Sequence, residues 1–181
     1  MLVSLDGFIE GPNRELDWHL IDEELHTFIN HQYLALDTHL FGRRMYEVMT
    51  YWDTADQNPS APAYELEFAR IWKNNLKVVF SKTLDKVGPN ARLVRDNIAE
   101  EIIRLKQQPG KDMEIGGPTI AATAMRLGLI DEYGLFIQPV VLGSGTPFFP
   151  TLDEKINLQL IETHTFGSGV VYQRYRNADA G

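Results

Sequence analysis

The residues of this chain best suited to chemistry are two adjacent glycines, Gly116 and Gly117, where an apolar strand pattern gives way to a helical one. Glycine has no Cβ, so a ligand can approach the backbone closely, and the free N–H groups at the start of a helix attract an anion. Pro118 suits the first position of that helix, and Thr119 follows it. The pattern is typical of a phosphate site, although a tight turn explains the same glycines without a ligand.

Two further strand ends carry groups that can bind an anion. One is Gly42-Arg43-Arg44, and the other is Ser81-Lys82. An arginine can bind phosphate through its planar fork, while serine and lysine add a hydroxyl and a point charge. Ligands of parallel sheets usually bind beyond the carboxyl ends of the strands, so the three strand ends together could hold a phosphorylated dinucleotide. The alternative is that Arg43 and Lys82 only solvate the ends of their elements.

Alternating strand and helix patterns lead to each of these positions. They predict a mostly parallel sheet covered by helices, with an antiparallel edge, in one domain spanning residues 1–181. Asp22 and Asp96 are each expected to cap a helix. The predicted strands cover residues 1–5, 39–41, 76–80, 91–94, 113–115 and 133–141, with helices around 25–36, 46–49, 64–72, 98–105 and 118–127, and a terminal hairpin of 157–166 with 170–175.

Composition excludes several function classes. The 181 residues include no cysteine, which removes disulfides, thiolate nucleophiles and cysteine-ligated zinc, and the five histidines lack the spacing of a metal site. A net charge of −8 argues against sequence-independent nucleic-acid binding. No apolar run is long enough for a membrane span and no signal-peptide pattern opens the chain, so we expect no membrane or nucleic-acid partner and a cytoplasmic protein.

Five short motifs follow one another at suitable separations along nearly the whole chain. They are Ser4–Gly7, Phe41–Glu47, Val79–Leu84, Ile115–Gly117, and Leu129–Glu132 continuing into Pro139–Gly145. In this order they resemble the dihydrofolate reductase fold, and most closely the C-terminal reductase domain of the riboflavin-biosynthesis deaminase-reductase. The resemblance implies an α/β fold with a mixed, mostly parallel central sheet, flanking helices and a C-terminal antiparallel hairpin.

The resemblance also implies a cofactor, a substrate class and an assembly. NADPH would be the hydride donor, a small heterocycle the substrate, and a homodimer the assembly. Lysine and arginine beside the adenosine favour NADPH over NADH, because only NADPH offers a 2′-phosphate. The residues implied in cofactor binding are Gly116, Gly117, Pro118 and Thr119 at the pyrophosphate, Gly42, Arg43, Arg44, Ser81 and Lys82 toward the adenosine, and Leu5 and Ile9, with Asp6, beside the nicotinamide.

Three carboxylates are candidates for assisting protonation. The segment Trp18–Glu23 resembles the part of dihydrofolate reductases in which a carboxylate follows a loop tryptophan, so Asp22 or Glu23 could orient a ring and assist proton transfer. Helix capping remains the alternative for Asp22. Asp6 is the third candidate, and an Asp-Gly turn explains it equally well.

The chain also departs from its relatives in ways that concern the substrate. It has no deaminase half, no Asp-Asp-Pro segment between Arg44 and Leu76, and Met45 where dihydrofolate reductases commonly have threonine. The leading hypothesis is a stand-alone NADPH-dependent reductase resembling 5-amino-6-(5-phosphoribosylamino)uracil reductase. The alternatives are a dihydrofolate reductase and a non-catalytic NADPH-binding protein.

Overall fold

The computed structural model describes residues 1–178 of the chain. These residues form two compact units. The central unit comprises Leu25–Thr123, and the discontinuous unit comprises Met1–Glu24 with the chain from Ala124 onward. Within the described range, no helix combines the length and the apolar character needed to cross a membrane.

Strands and helices alternate through most of the chain, as the sequence pattern predicts. Short 3-10 turns occupy Thr50–Asp53 and Ala55–Gln57. In chain order the elements are β1 (Leu2–Ser4), β2 (Phe8–Glu10), α1 (Glu23–Leu34), β3 (Leu36–Gly42), α2 (Arg43–Met49), α3 (Ala63–Asn74), β4 (Leu76–Phe80), β5 (Ala91–Val94), α4 (Ile98–Lys106), β6 (Asp112–Gly116), α5 (Pro118–Arg126), β7 (Glu132–Gln138), β8 (Thr146–Pro147), β9 (Leu158–Thr165) and β10 (Val171–Asn177).

The central unit contains a four-stranded sheet in the order β5-β4-β3-β6, with every neighbouring pair parallel. Phe41 is opposite Gly116 on β6, and Gly42 is opposite Phe80 on β4. Val78 and Val79 are fully buried, as expected where helices cover both faces of a parallel sheet. All four strands therefore point their carboxyl ends toward the same edge.

An aromatic core fixes the helices of the central unit onto this sheet. It includes Phe41, Phe68, Trp72 and Val79, and Trp72 donates its indole N–H to Asp53 at 2.7 Å. Lys77 on β4 is buried, and its Nζ donates to the Trp72 carbonyl at 2.8 Å. The lysine thus satisfies a carbonyl in the last turn of α3, where cations are favourable.

The discontinuous unit contains a second sheet in the order β1-β7-β10-β9. The pair β1-β7 is parallel, with Ser4 opposite Gln138, and the other pairs are antiparallel. Gly169 closes the β9-β10 hairpin with φ of +87°, a conformation that favours glycine. A small antiparallel pair joins β2 to β8.

The predicted fold class is confirmed, including the parallel strands, the helices and the terminal antiparallel hairpin. The pattern missed the short strands β2 and β8, and it extended β7 three residues beyond its end at Gln138. The predicted cap at Asp96 is wrong, because the residue before α4 is Asn97 in a left-handed conformation. Asp96 instead binds Lys82 at 3.0 Å.

Candidate functional site

The three strand ends singled out from the sequence lie at one edge of the central sheet. β3 runs between β4 and β6, and all three are parallel. Gly42 ends β3 and Arg43 follows it, Ser81 directly follows Phe80 at the end of β4, and Gly116 ends β6. The fold therefore places these groups next to one another, where ligands of such sheets bind.

The close packing of the glycine pair explains why larger residues are excluded there. A Cβ at Gly116 would lie 2.8 Å from Cε1 of Phe41, and one at Gly117 would lie 3.3 Å from the Gly42 nitrogen. Gly117 also has φ of +105°. Pro118 is the first residue of α5, as predicted, and both Pro118 and Thr119 are exposed. Packing thus requires the glycines, while the helix start beside them stays accessible.

The basic side chains at this edge take part in weak surface contacts. Arg43 donates from Nε to Glu47 at 2.8 Å and from Nη1 to Thr83 at 2.9 Å, and Lys82 pairs with Asp96. Exposed pairs of this kind contribute about 0–1 kcal/mol, so a phosphate can replace the carboxylate at little cost. Arg44 is exposed in the first turn of α2.

Ser81 has a local structural role at the same edge. Its hydroxyl oxygen accepts the N–H groups of Thr83 at 3.2 Å and of Leu84 at 3.0 Å. These bonds shape the turn after β4 and position Lys82 at its exposed tip. Ser81 therefore supports the loop, and its hydroxyl also lies 3.5 Å from the Thr83 hydroxyl, where either oxygen can be the donor.

A cavity of about 330 Å³ adjoins this edge, and sequence reasoning missed one of its cations. Its lining includes the cations Lys82 and Arg95, the acidic residues Asp96 and Glu100, and Asn97 with Thr123. Arg95 follows β5, the strand beyond β4, and donates to the Lys82 carbonyl at 3.3 Å. The sequence signal that could have identified Arg95 is its position just after a predicted strand, as for Arg43 and Lys82. The side chain of Asn97, the residue before α4, forms no capping hydrogen bond with the start of this helix.

In the discontinuous unit, Asp6 holds two loops together. Its carboxylate accepts the Ser4 hydroxyl at 2.7 Å, the Leu142 N–H at 3.1 Å and the Gly143 N–H at 2.8 Å. These bonds, led by that from Ser4, lower the pKa of Asp6 below its usual value. A carboxylate held in this way positions the loop after β7, and a chemical role for Asp6 stays a prediction.

The remaining predicted residues of this unit are near the surface. Leu5 directly follows β1 and is 66% exposed, while Ile9 is half-buried in β2. Glu23 is the first residue of α1 and Asp22 precedes it, in the position of a cap, and both are exposed. Residues 1–178 contain no cluster of three or more side chains suited to a metal ion.

Comparison with known proteins identifies relatives of the whole chain. A family model for the RibD C-terminal domain matches residues 1–172. The YyaP protein of Bacillus subtilis (strain 168) is 39% identical over 174 residues, covering 94% of this chain and 89% of YyaP. These matches confirm the resemblance to the riboflavin-pathway reductase domain and support a reductase role.

Solved structures confirm the fold at lower identity. A protein from Shewanella sp. PV-4 assigned to riboflavin biosynthesis superposes with a TM-score of 0.72 at 20% identity, covering 97% of this chain and 95% of that one. Dihydrofolate reductase from Enterococcus faecalis, in complex with NADP(H) and RAB-propyl, gives a TM-score of 0.65 at 17% identity, covering 98% and 94%. At these identities the likeness establishes the dihydrofolate reductase-like fold alone.

Proposed function

Because the chain belongs to the RibD C-terminal domain family, we propose that it is an NADPH-dependent reductase of a small heterocyclic substrate, resembling 5-amino-6-(5-phosphoribosylamino)uracil reductase. One observation carries the proposal. Adjacent strand ends of a parallel sheet present an accessible helix start and a row of cations at a single edge. That combination suits a ligand with several phosphates.

The residues at this edge divide between two parts of the cofactor. The start of α5 after Gly117 would bind the pyrophosphate, and Arg43 and Arg44 after β3 would approach the adenosine side. Lys82 and Arg95 line the adjoining cavity, which suits an adenosine 2′-phosphate. Bound NADPH would supply the hydride, and the protein would supply binding and orientation.

Further residues keep the roles that the resemblance to the family implies. Leu5 and Ile9 would position rings, and Asp22 or Glu23 would assist protonation. Asp6 would act by fixing the loop at Leu142 and Gly143. We also propose that the protein is cytoplasmic and a homodimer, for which light scattering should give twice the 20.6 kDa of one chain.

Calorimetric titration with NADPH and NADH tests the cofactor assignment. The wild type should prefer NADPH, and Lys82→Ala or Arg95→Ala should weaken NADPH binding about 10-fold or more while leaving NADH binding nearly unchanged. Lys73→Ala is the matched control. Lys73 forms a similar exposed pair with Asp56, but near the end of α3, which precedes the opposite end of β4.

Turnover assays then separate the reductase from its alternatives. NADPH oxidation driven by the phosphoribosylaminouracil supports the leading assignment, and oxidation driven by dihydrofolate supports the dihydrofolate reductase alternative. Tight NADPH binding without turnover of either compound would indicate a non-catalytic NADPH-binding protein. Failure to bind either nucleotide would overturn the proposal.

A further inference from the structure

Gln138 occupies a position in the discontinuous unit that neither the sequence motifs nor the cofactor assignment explains. It ends β7, opposite Ser4 at the end of the parallel neighbour β1. The side chains of both residues are almost completely buried, at 0% and 1% exposed. A buried carboxamide at the carboxyl end of a strand needs partners for its oxygen and for both N–H groups.

The structure provides a partner for only one end of this carboxamide. Oε1 of Gln138 accepts the backbone N–H of Leu20 at 2.9 Å. Because a backbone N–H can only donate, this bond fixes the orientation of the amide and directs Nε2 away from Leu20. Nε2 is buried and has no hydrogen-bond partner. A donor group is therefore held in a fixed orientation with nothing to donate to.

The segment bound by Gln138 carries a second unpartnered nitrogen. Nε2 of His19, the residue before Leu20, is buried without a partner, and burial lowers the pKa of this histidine. The ring of His19 packs edge-on against Trp18, with centroids 4.3 Å apart, and the Trp18 indole donates to the Glu15 carbonyl at 3.0 Å. Hydrogen bonds therefore fix Trp18 and Leu20 on either side of His19, while Nε2 of His19 has no partner.

Two other buried unpartnered atoms among residues 1–178 belong to Arg174 and Ser168. Nε of Arg174 belongs to a guanidinium whose other nitrogens lie 3.6 Å from Glu132 and 3.1 Å from Glu162. The Ser168 hydroxyl lies in the tight β9-β10 turn. Gln138 differs from both, because an entire NH₂ group is unsatisfied and its side chain is wholly buried.

Exposed apolar side chains belong to the same short segments. Leu5, Leu20 and Ile21 are 66%, 45% and 47% exposed. Leu5 donates its N–H to Val140, two residues after Gln138, and Leu20 is the partner of Gln138 itself. Apolar groups with a few oriented polar atoms are the usual composition of a small-molecule site.

We propose that Gln138 is a specificity-determining residue that donates a hydrogen bond from Nε2 to a ring carbonyl of the substrate. The inference rests on the proposed function and assigns a residue to the ring carbonyls that an aminouracil substrate carries. A ring with an amino group at that position presents another donor to Nε2 and is rejected. Sites that hydrogen-bond a polar group discriminate strongly against analogues that lack it.

Binding of two matched probes tests this inference without turnover. 5,6-Diaminouracil carries ring carbonyls, and 2,4,5,6-tetraaminopyrimidine replaces them with amino groups. By calorimetry, the wild type should bind the first at least about 10-fold more tightly than the second. Gln138→Met should reduce this preference to about twofold or less, and the loss should fall on the carbonyl compound.

Two further variants separate recognition from folding. Gln138→Glu keeps an oxygen for the Leu20 N–H, removes the NH₂ group, and should lose the preference at pH values where the new carboxyl is ionised. Gln173→Met is the matched control, since Gln173 lies in the same sheet and its Oε1 accepts the Tyr175 hydroxyl at 2.8 Å. Thermal unfolding checks that each variant is folded.

The outcomes distinguish this inference from the cofactor proposal. An unchanged preference in a folded Gln138 variant, or no binding of either probe to the wild type, overturns the role of Gln138. Unchanged NADPH binding in the same variants would leave the reductase assignment in place. A wild type that binds diaminouracil selectively but binds no NADPH would support Gln138 and overturn the cofactor assignment.

Discussion

Two glycines at the proposed cofactor edge allow the effects of a substitution on folding and on binding to be tested separately. Gly116 has no room for a Cβ, because one would lie 2.8 Å from the buried Phe41 ring. At Gly42 the nearest atom to a new Cβ would be Cγ2 of Ile120 at 3.9 Å, and φ is −70°. Substitution of the two glycines is therefore expected to affect stability to different extents.

We expect Gly116→Ala to lower the free energy of unfolding by about 1–3 kcal/mol, since Phe41 must shift within a packed core. Gly42→Ala should change it by less than about 1 kcal/mol while weakening NADPH binding, because its methyl group obstructs approach to the backbone. Urea unfolding and nucleotide titration measure the two effects. Equal stability of both variants would contradict the packing argument.

The hydrogen bonds of Asp6 lead to a prediction about local backbone protection. Asp6→Ala removes the acceptor of the Leu142 and Gly143 N–H groups, so hydrogen exchange at these two amides should accelerate. In the wild type the lowered pKa keeps this contribution present above about pH 3.8, and it is lost as the pH falls through the lower folded-state pKa. Asp17→Ala, at another exposed aspartate of the same unit, is the control.

At the scale of elements, parallel pairing determines which loops meet. The order β5-β4-β3-β6 puts Arg95, Ser81, Arg43 and Gly117 after successive strands along one edge. The chain order of these strands is different, so sequence spacing alone does not reveal the arrangement. Asn97, the residue before α4, and Thr123 on α5 then line the cavity beside Lys82.

Helix α4 is attached to this sheet by an ion-pair network that responds to acid. Glu101 contacts Arg92 on β5 and pairs with Arg104 at 2.7 Å, and hydrogen bonding to Arg104 is the main cause that lowers the pKa of Glu101 to about 2. The folded-state pKa is depressed, so the contribution is complete above about pH 4.5 and is lost as the pH falls toward 2.

We therefore expect the stability difference between wild type and Glu101→Gln to be largest above pH 4.5 and to shrink on acidification. Urea unfolding at pH 6, 4 and 3, taken as roughly spanning this window, measures it. Glu100→Gln removes a neighbouring charge from the same helix and serves as the control. A pH-independent difference would show that the ion pairs do not contribute.

At the scale of the whole molecule, cofactor binding should appear as thermal stabilisation. A ligand at about 100 times its dissociation constant stabilises a protein by about 2.7 kcal/mol if it binds only the folded state. For a chain of this size each kcal/mol raises Tm by about 2–4 °C. Saturating NADPH should therefore raise Tm by about 5–10 °C, and the same concentration of NADH should raise it less.

Calorimetric scans with each nucleotide check this expectation. The Lys82→Ala variant should lose the difference between NADPH and NADH while keeping the Tm of the ligand-free wild type. Equal shifts with both nucleotides in the wild type would count against recognition of a 2′-phosphate. No shift with either would agree with a calorimetric titration that detects no binding.

The sequence by itself predicted most of the helices and strands and the three strand ends of the proposed cofactor site. Alternating apolar residues, Pro118 at a helix start and Gly128 at its end are local signals, so they predicted the α/β class and the terminal hairpin. Gly116, Gly117, Arg43 and Lys82 were found because residue type and position after a strand carry the chemistry. The domain organisation and the roles of these residues stay predictions.

Only the tertiary structure decided what depends on partners distant in sequence. The Asp6 carboxylate positions a loop because the backbone N–H groups of Leu142 and Gly143 bind it. Asp96 forms an ion pair with Lys82 and does not occupy the predicted capping position. The sequence pattern did not single out Gln138, because the hydrogen bond from Leu20 to its oxygen and the burial of its NH₂ group depend on tertiary contacts. Residue type and local periodicity are written in the chain, whereas register, burial and the matching of donors to acceptors arise only when distant segments meet.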